Sequence, residues 1–182
     1  MHDLIRAWRQ LDHSPGQSYI LPSDIPIMHP SHTVFYRSLQ LYKRRNKAND
    51  KANGRLYQIG LLPVPYVGRI TTASVFLLLN NAGLSPNDYN AELGFPDIRD
   101  YLLKNLRQNL GRERYPFICL NPAFSMHPGF GYWEAKFRFL VGQLIAECGI
   151  DIDTAISFIS KQVACLQLVP YHSSELRARL CS

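Results

Sequence analysis

Apolar and polar positions follow two periods along this chain, and the switches between them mark out its elements. Residues 3–11 place Leu4, Ile5, Ala7, Trp8 and Leu11 at helical spacing. Residues 17–32 are rich in Pro, Ser and Asp and read as loop. Residues 33–41 then read as a helix, with Phe35, Leu39 and Tyr42 available to one face. Pro63 and Pro65 bias residues 61–68 toward an extended course. Five consecutive apolar residues, Val75-Phe76-Leu77-Leu78-Leu79, form a run of strand length that predicts burial on both faces. Residues 96–110 set Ile98, Tyr101, Leu102, Leu106 and Leu110 on one helical stripe, with Gly111 as the stop. Residues 115–120 read as a second strand. Residues 132–148 form a second strong helix whose stripe of Trp133, Phe137, Leu140, Val141, Leu144, Ile145 and Cys148 is expected to face the core. A shorter helix over 151–159, capped at Asp151 or Asp153, precedes a third apolar strand over 163–169.

Strand, helix, strand, helix, strand, with connections long enough for parallel crossovers, predicts an α/β fold. The expected architecture is a three-layer sandwich: a short, mostly parallel central sheet flanked by helices. Residues 1–60 read as an N-terminal helical and loop segment that packs on a core formed by 61–182. A parallel sheet gathers its strand ends on one rim, where open α/β sheets bind ligands. That rim is expected to carry Asn80, Asn81 and Asp88, then Asn121, Ser125 and His127, then Tyr171, His172 and Ser173.

At 46% hydrophobic residues in 182, the chain has the material for a sizeable core. The formal charge of +6 permits a polyanionic partner without requiring one. The densest basic run, residues 43–55, holds six Lys or Arg against one Asp. It reads either as a phosphate-contacting patch or as a solvated surface segment, and it has no interleaved aromatic for base stacking. Cys119, Cys148, Cys165 and Cys181 include no C-x-x-C pair, so neither a zinc ribbon nor a redox motif is supported. No signal peptide and no run of about 20 apolar residues is present, so a cytoplasmic setting away from membranes is the expectation.

The chemistry rests on the strand ends. Asn80 and Asn81 can bond a ligand edge or hold a water, or they can simply serve the turn. His172, directly after a strand, can act as acid, base or hydrogen-bond donor, or as a structural ring. Ser173 beside it lacks the G-x-S-x-G elbow of a serine hydrolase. Neither a P-loop nor G-x-G-x-x-G is present, and no spacing supports a metal site, so no cofactor is expected.

Leu79-Asn80-Asn81-Ala82-Gly83 is similar to the G-x-N-P-G signature of the uracil-DNA glycosylase superfamily, with Ala82 in place of the proline. Ile118-Cys119-Leu120-Asn121, followed by Gly131-Tyr132-Trp133-Glu134 and Phe137, resembles that superfamily's Leu-Leu-Asn strand end and the Trp-Glu helix after it. Val169-Pro170-Tyr171-His172-Ser173 resembles its His-Pro-Ser motif. With Pro65-Tyr66-Val67-Gly68 and Leu120-Asn121-Pro122, the chain looks like an uncharacterised bacterial family related to these glycosylases, over about residues 61–175. Such relatives continue through a further strand, so the core reads as C-terminally short. The resemblance implies hydrolysis of the N-glycosidic bond of a flipped nucleobase in DNA, a repair chemistry. Asn81 would then position the water and His172 would donate to the departing base. Asn121, with Asn80 and Ser173 nearby, would read the base edge, and Phe124 or Tyr66 would stack on it. The alternatives are a non-catalytic nucleic-acid or protein binding module on the same scaffold, and a small-molecule hydrolase that uses His172.

Overall fold

The computed structural model describes residues 2–45 and 54–175. Residues 46–53 of the basic run, and Cys181 near the C-terminus, lie outside the described residues. Helix α1 (His2–Gln10) opens with Asp3 and closes with Arg9, charges that complement the helix dipole. It buries Ile5 and Trp8, one turn apart. The loop-like stretch that follows ends in a short 3-10 turn at Pro30–His32. Strand β1 (Thr33–Val34) pairs in parallel with β2 (Tyr57–Gln58) in a separate two-stranded sheet. The helix expected over 33–41 is therefore displaced, and α2 spans Leu39–Arg45. Thr33 and Val34 are β-branched and favour extended backbone. Ser38 offers the start signal instead: its Oγ accepts from Leu41 N at 3.3 Å and its carbonyl from Tyr42 N at 3.0 Å.

The main sheet has three strands in the order β3–β5–β4. Strand β3 (Tyr66–Val67) runs antiparallel to β5 (Val163–Val169), and β4 (Val75–Asn81) runs parallel to it. The chain is thus a mixture of helices and strands with small sheets, and its longer ladder is parallel. The extended course set by Pro63 and Pro65 is tied to β5 through Val64 N to Pro170 O (2.7 Å) and Gln167 N to Pro65 O (2.9 Å).

Residues 115–120 are not a strand. They are buried, from Phe117 through Leu120, but they cross the core as bends that end in a 3-10 turn at Ile118–Leu120. Their backbone is satisfied locally and by a side chain rather than by a ladder. Leu120 N bonds Phe117 O, Asn121 N bonds Ile118 O, and Phe117 N bonds Ser160 Oγ, each at 2.9 Å. The apolar run reports burial and leaves open which group accepts each N–H.

Strand β4 is also not buried on both faces. Leu77 and Leu79 pack against the core, whereas Phe76 and Leu78 on the other side are exposed, Leu78 at 77%. Among the described residues β4 has a partner on one side only.

Four further helices among the described residues complete the wall of the core. Helix α3 (Asp88–Gly94) leads into α4 (Pro96–Leu106), which stops four residues before the expected Leu110. Gln108, at φ 52, turns the chain there and is pinned by bonds to Gly68 O and Ile70 N. Helix α5 (Pro128–Cys148) ends at Gly149 in the left-handed region, and α6 (Ile152–Gln162) begins at Asp151, whose carboxylate caps Thr154 N at 2.8 Å. Of the stripe expected on α5, Trp133 is buried and Phe137, Val141 and Leu144 pack on the core, while Leu140 and Cys148 are exposed. One cluster joins Ile5, Trp8 and Tyr19 to the inner side of the main sheet and to α4. A smaller one stacks Tyr42 on Tyr89 with centroids 4.1 Å apart, beside Tyr36 and Leu61. Among the described residues no helix is long and apolar enough to cross a membrane.

Candidate functional site

The carboxyl ends of β4 and β5, the loop leading into α3 and the N-terminus of α5 enclose a cavity of about 530 Å³. Its floor and walls are apolar, with Val64, Leu79, Leu102, Ile118 and Trp133. Its polar groups come from several separate stretches, Asn105 of α4 among them. Asn80 and Asn81 end β4, Asp88 opens α3, His127 caps α5, and Gln167 and His172 belong to β5 and the segment after it.

Each of these groups is held by a local device. Asn81 Nδ2 donates to the Ser173 carbonyl at 2.8 Å and to Ser173 Oγ at 3.0 Å, which leaves Oδ1 as the amide atom open to a ligand. Gly83, at φ +66, turns the chain away from β4 and aims its carbonyl at His172 Nδ1, 2.9 Å away. The Asp88 carboxylate accepts from Ser85 N at 2.5 Å and so closes its own loop. His127 Nδ1 accepts from Gly129 N at 3.1 Å, capping α5. Burial pushes the His127 ring below the ordinary histidine range, Asp88 opposes that shift, and His172 adds to it. Gly129 has no room for a side chain: a Cβ there would lie 2.8 Å from Cys119 Sγ and 3.1 Å from His127 Nδ1. Cys119 itself is buried and its thiol is pushed up to about 12, so it serves as wall rather than nucleophile.

Of the residues singled out from the sequence, Asn80, Asn81 and His172 line this cavity, and so do Asp88 and His127 of the expected rim. Four others lie elsewhere. Tyr66 is wholly buried in the core, its hydroxyl donating to Leu106 O at 2.5 Å. Asn121 spends its Oδ1 on Ala123 N at 3.1 Å, capping the next 3-10 turn, Pro122–Phe124. Phe124 packs edge-on against Tyr101 with centroids 5.3 Å apart. Ser173 is wholly buried, and its Oγ donates to Glu175 O at 2.7 Å while it accepts from Asn81. A hydroxyl so enclosed supports Asn81 and is not presented as a nucleophile. Two further rim residues also leave the group. Ser125 is exposed, and Tyr171 is buried against the N-terminal segment, bonded to Asp24 at 2.6 Å.

Among the contributors not singled out as site residues are Gln167, Tyr132 and Trp133. Gln167 did leave a signal, as the one polar residue inside the apolar run Val163-Ala164-Cys165-Leu166-Gln167-Leu168-Val169. It shares its side of β5 with Cys165, and its Oε1 is buried without a hydrogen-bond partner. Trp133 belongs to the expected helix stripe and Tyr132 opens that helix, and spacing cannot separate either from cavity wall. Glu92 reaches the cavity edge but is committed to structure, bonded to Arg99 at 2.7 Å and to Leu62 N at 2.9 Å. Burial raises its carboxyl to about 7, while Arg99 and the Leu62 N–H pull it down.

The cavity can therefore bind a flat, partly polar molecule. It offers amide and carboxylate oxygens for hydrogen bonds, two imidazoles for proton chemistry and aromatic rings for stacking. Among the described residues no Lys or Arg lines it. Among the described residues no three His, Cys, Asp or Glu side chains are grouped to hold a metal ion. Set against models of known protein families, curated proteins and solved structures, the chain gives no match.

Proposed function

We propose that the chain is a uracil-DNA-glycosylase-like hydrolase, which cleaves the N-glycosidic bond of a nucleobase in DNA with the cavity as its base pocket. The observation that carries this reading is the meeting of Asn81, Asp88 and His172, from separate segments, around one cavity with apolar walls. Asn81 suits the water-positioning role, because its Nδ2 is tied to Ser173 and its Oδ1 is left to accept from a water. The base-reading and stacking roles that the resemblance gives to Asn121, Phe124 and Tyr66 pass to residues that do line the cavity. Asn80 and Gln167 read the base edge, and Tyr132 and Trp133 supply the rings. The three-layer α/β arrangement, DNA as the partner and a cytoplasmic setting belong to the same proposal. The basic charge would meet the phosphates outside the cavity, since among the described residues no Lys or Arg lines it.

The test is base release from short single- and double-stranded DNA that carries uracil, hypoxanthine or mismatches, at low salt, with Asn81→Ala alongside. Release that falls about 100-fold or more in the variant supports the reading. A folded chain that binds DNA and frees no base would instead be a binding module.

A further inference from the structure

The two imidazoles of the cavity are held in opposite proton arrangements by backbone groups whose roles are fixed. The Gly83 carbonyl can only accept, so His172 Nδ1, 2.9 Å away, carries a proton. A neutral His172 therefore presents Nε2 as a lone pair. The Gly129 N–H can only donate, so His127 Nδ1, 3.1 Å away, is the lone pair. A neutral His127 therefore carries its proton on Nε2. Neither Nε2 has a hydrogen-bond partner among the described residues, and neither is a fully enclosed orphan. Both rings line the same cavity, and they are close enough to act on each other electrostatically. The cavity thus holds one imidazole acceptor and one imidazole donor.

We propose that His127 supplies the hydrogen bond that stabilises the departing base and that His172 takes the proton of the attacking water, an inference that rests on the glycosylase reading above. The oxygen of the water bonds to the sugar carbon, and one of its protons passes to His172 Nε2, making that ring an imidazolium. The bond between the sugar carbon and the base nitrogen breaks, and its electron pair stays on the base. His127 Nε2–H bonds to the charge that develops there and keeps its proton throughout. The imidazolium proton of His172 then moves to the base, which leaves neutral, and both rings return to their starting state. The Gly83 bond is the reason for this division: a neutral ring with its proton on Nδ1 has none on Nε2 to donate. The second observation is at Gly129. Protonating His127 on Nδ1 would set an N–H against the Gly129 N–H and break the cap of α5, so the fold favours the neutral donor form.

Two measurements on the full chain test this. Two-bond ¹H–¹⁵N spectra of histidine-labelled protein should show His127 protonated on Nε2 and His172 on Nδ1; matching or reversed patterns overturn the inference. In the base-release assay, His127→Asn retains a good helix cap while it removes the Nε2–H. It should lower kcat about 100-fold or more with KM within about threefold, and it should keep the acid limb of the pH profile. His172→Gln should lower kcat and lose that limb. Release by His127→Asn at the wild-type rate overturns the inference and leaves the glycosylase reading standing. No release by the wild-type chain defeats that reading, and this inference falls with it.

Discussion

Gly129→Ala tests the packing that holds His127 in place. In an open helix this change is favourable by up to about 1 kcal/mol, because alanine loses less backbone freedom than glycine. Here the added Cβ would sit 2.8 Å from Cys119 Sγ and 3.1 Å from His127 Nδ1. Cys119 is 5% exposed and behind it lies the core, so the sulfur has little room to withdraw. Overpacking of this kind costs about 1–3 kcal/mol, and a strained cap bond adds up to about 1 kcal/mol. The single variant should be less stable by about 1–3 kcal/mol in urea unfolding. Cys119→Ala removes the sulfur and, alone, should lose about 1 kcal/mol through lost packing. The double variant Gly129→Ala/Cys119→Ala should then be more stable than the two single losses add up to, by a coupling of about 1–2 kcal/mol. Additive losses would refute the reasoning, because they would mean that the sulfur is not what the new methyl meets. An unchanged Gly129→Ala midpoint would refute it as well.

Two further outcomes follow from the site and the sheet. His127 titrates in the folded chain below the ordinary 6.5, chiefly through burial, with His172 adding to the shift and Asp88 opposing it. Over that window the unfolded chain binds a proton that the folded chain refuses, so the stability it contributes is whole above pH 6.5 and is lost as pH falls. Urea midpoints between about pH 7.5 and pH 5 should therefore decline less steeply in His127→Asn than in the wild type; equal slopes would contradict this. Strand β4 has no charged residue or proline, exposes Leu78 at 77% and is unpaired on one side among the described residues. Leu78→Lys should reduce concentration-dependent light scattering and shift stability by no more than about 0.5 kcal/mol, whereas unchanged scattering would mean this edge does not drive association.

The sequence by itself determined the elements whose hydrogen bonds close locally or whose pattern has one period. The strand over 163–169 was legible residue by residue, and the long helix ending at Cys148, the short helix with Asp151 as one of two candidate caps and the strand opening at Val75 were legible apart from one boundary each, because spacing and turn chemistry act over a few positions. It also marked Asn80, Asn81, Asp88, His127 and His172 as polar groups at the ends of apolar runs, and these do line one cavity. Only the tertiary structure decided the rest. The run 115–120 is as apolar as a strand, yet Ser160 and its own carbonyls take its N–H groups, and no local pattern reveals which distant group will accept a bond. Hydrophobicity asks for burial on both faces of β4, yet one face stays open, because burial depends on whether another element reaches it. Asn121 and Phe124 sit close to His127 in sequence and still turn away from the cavity, since a cap and an edge-on ring contact claim them first. The proton arrangement of the two imidazoles lies furthest from the sequence. It is set by a carbonyl at Gly83 and an N–H at Gly129, and only the folded chain brings that carbonyl within 2.9 Å of His172, 89 positions on in sequence.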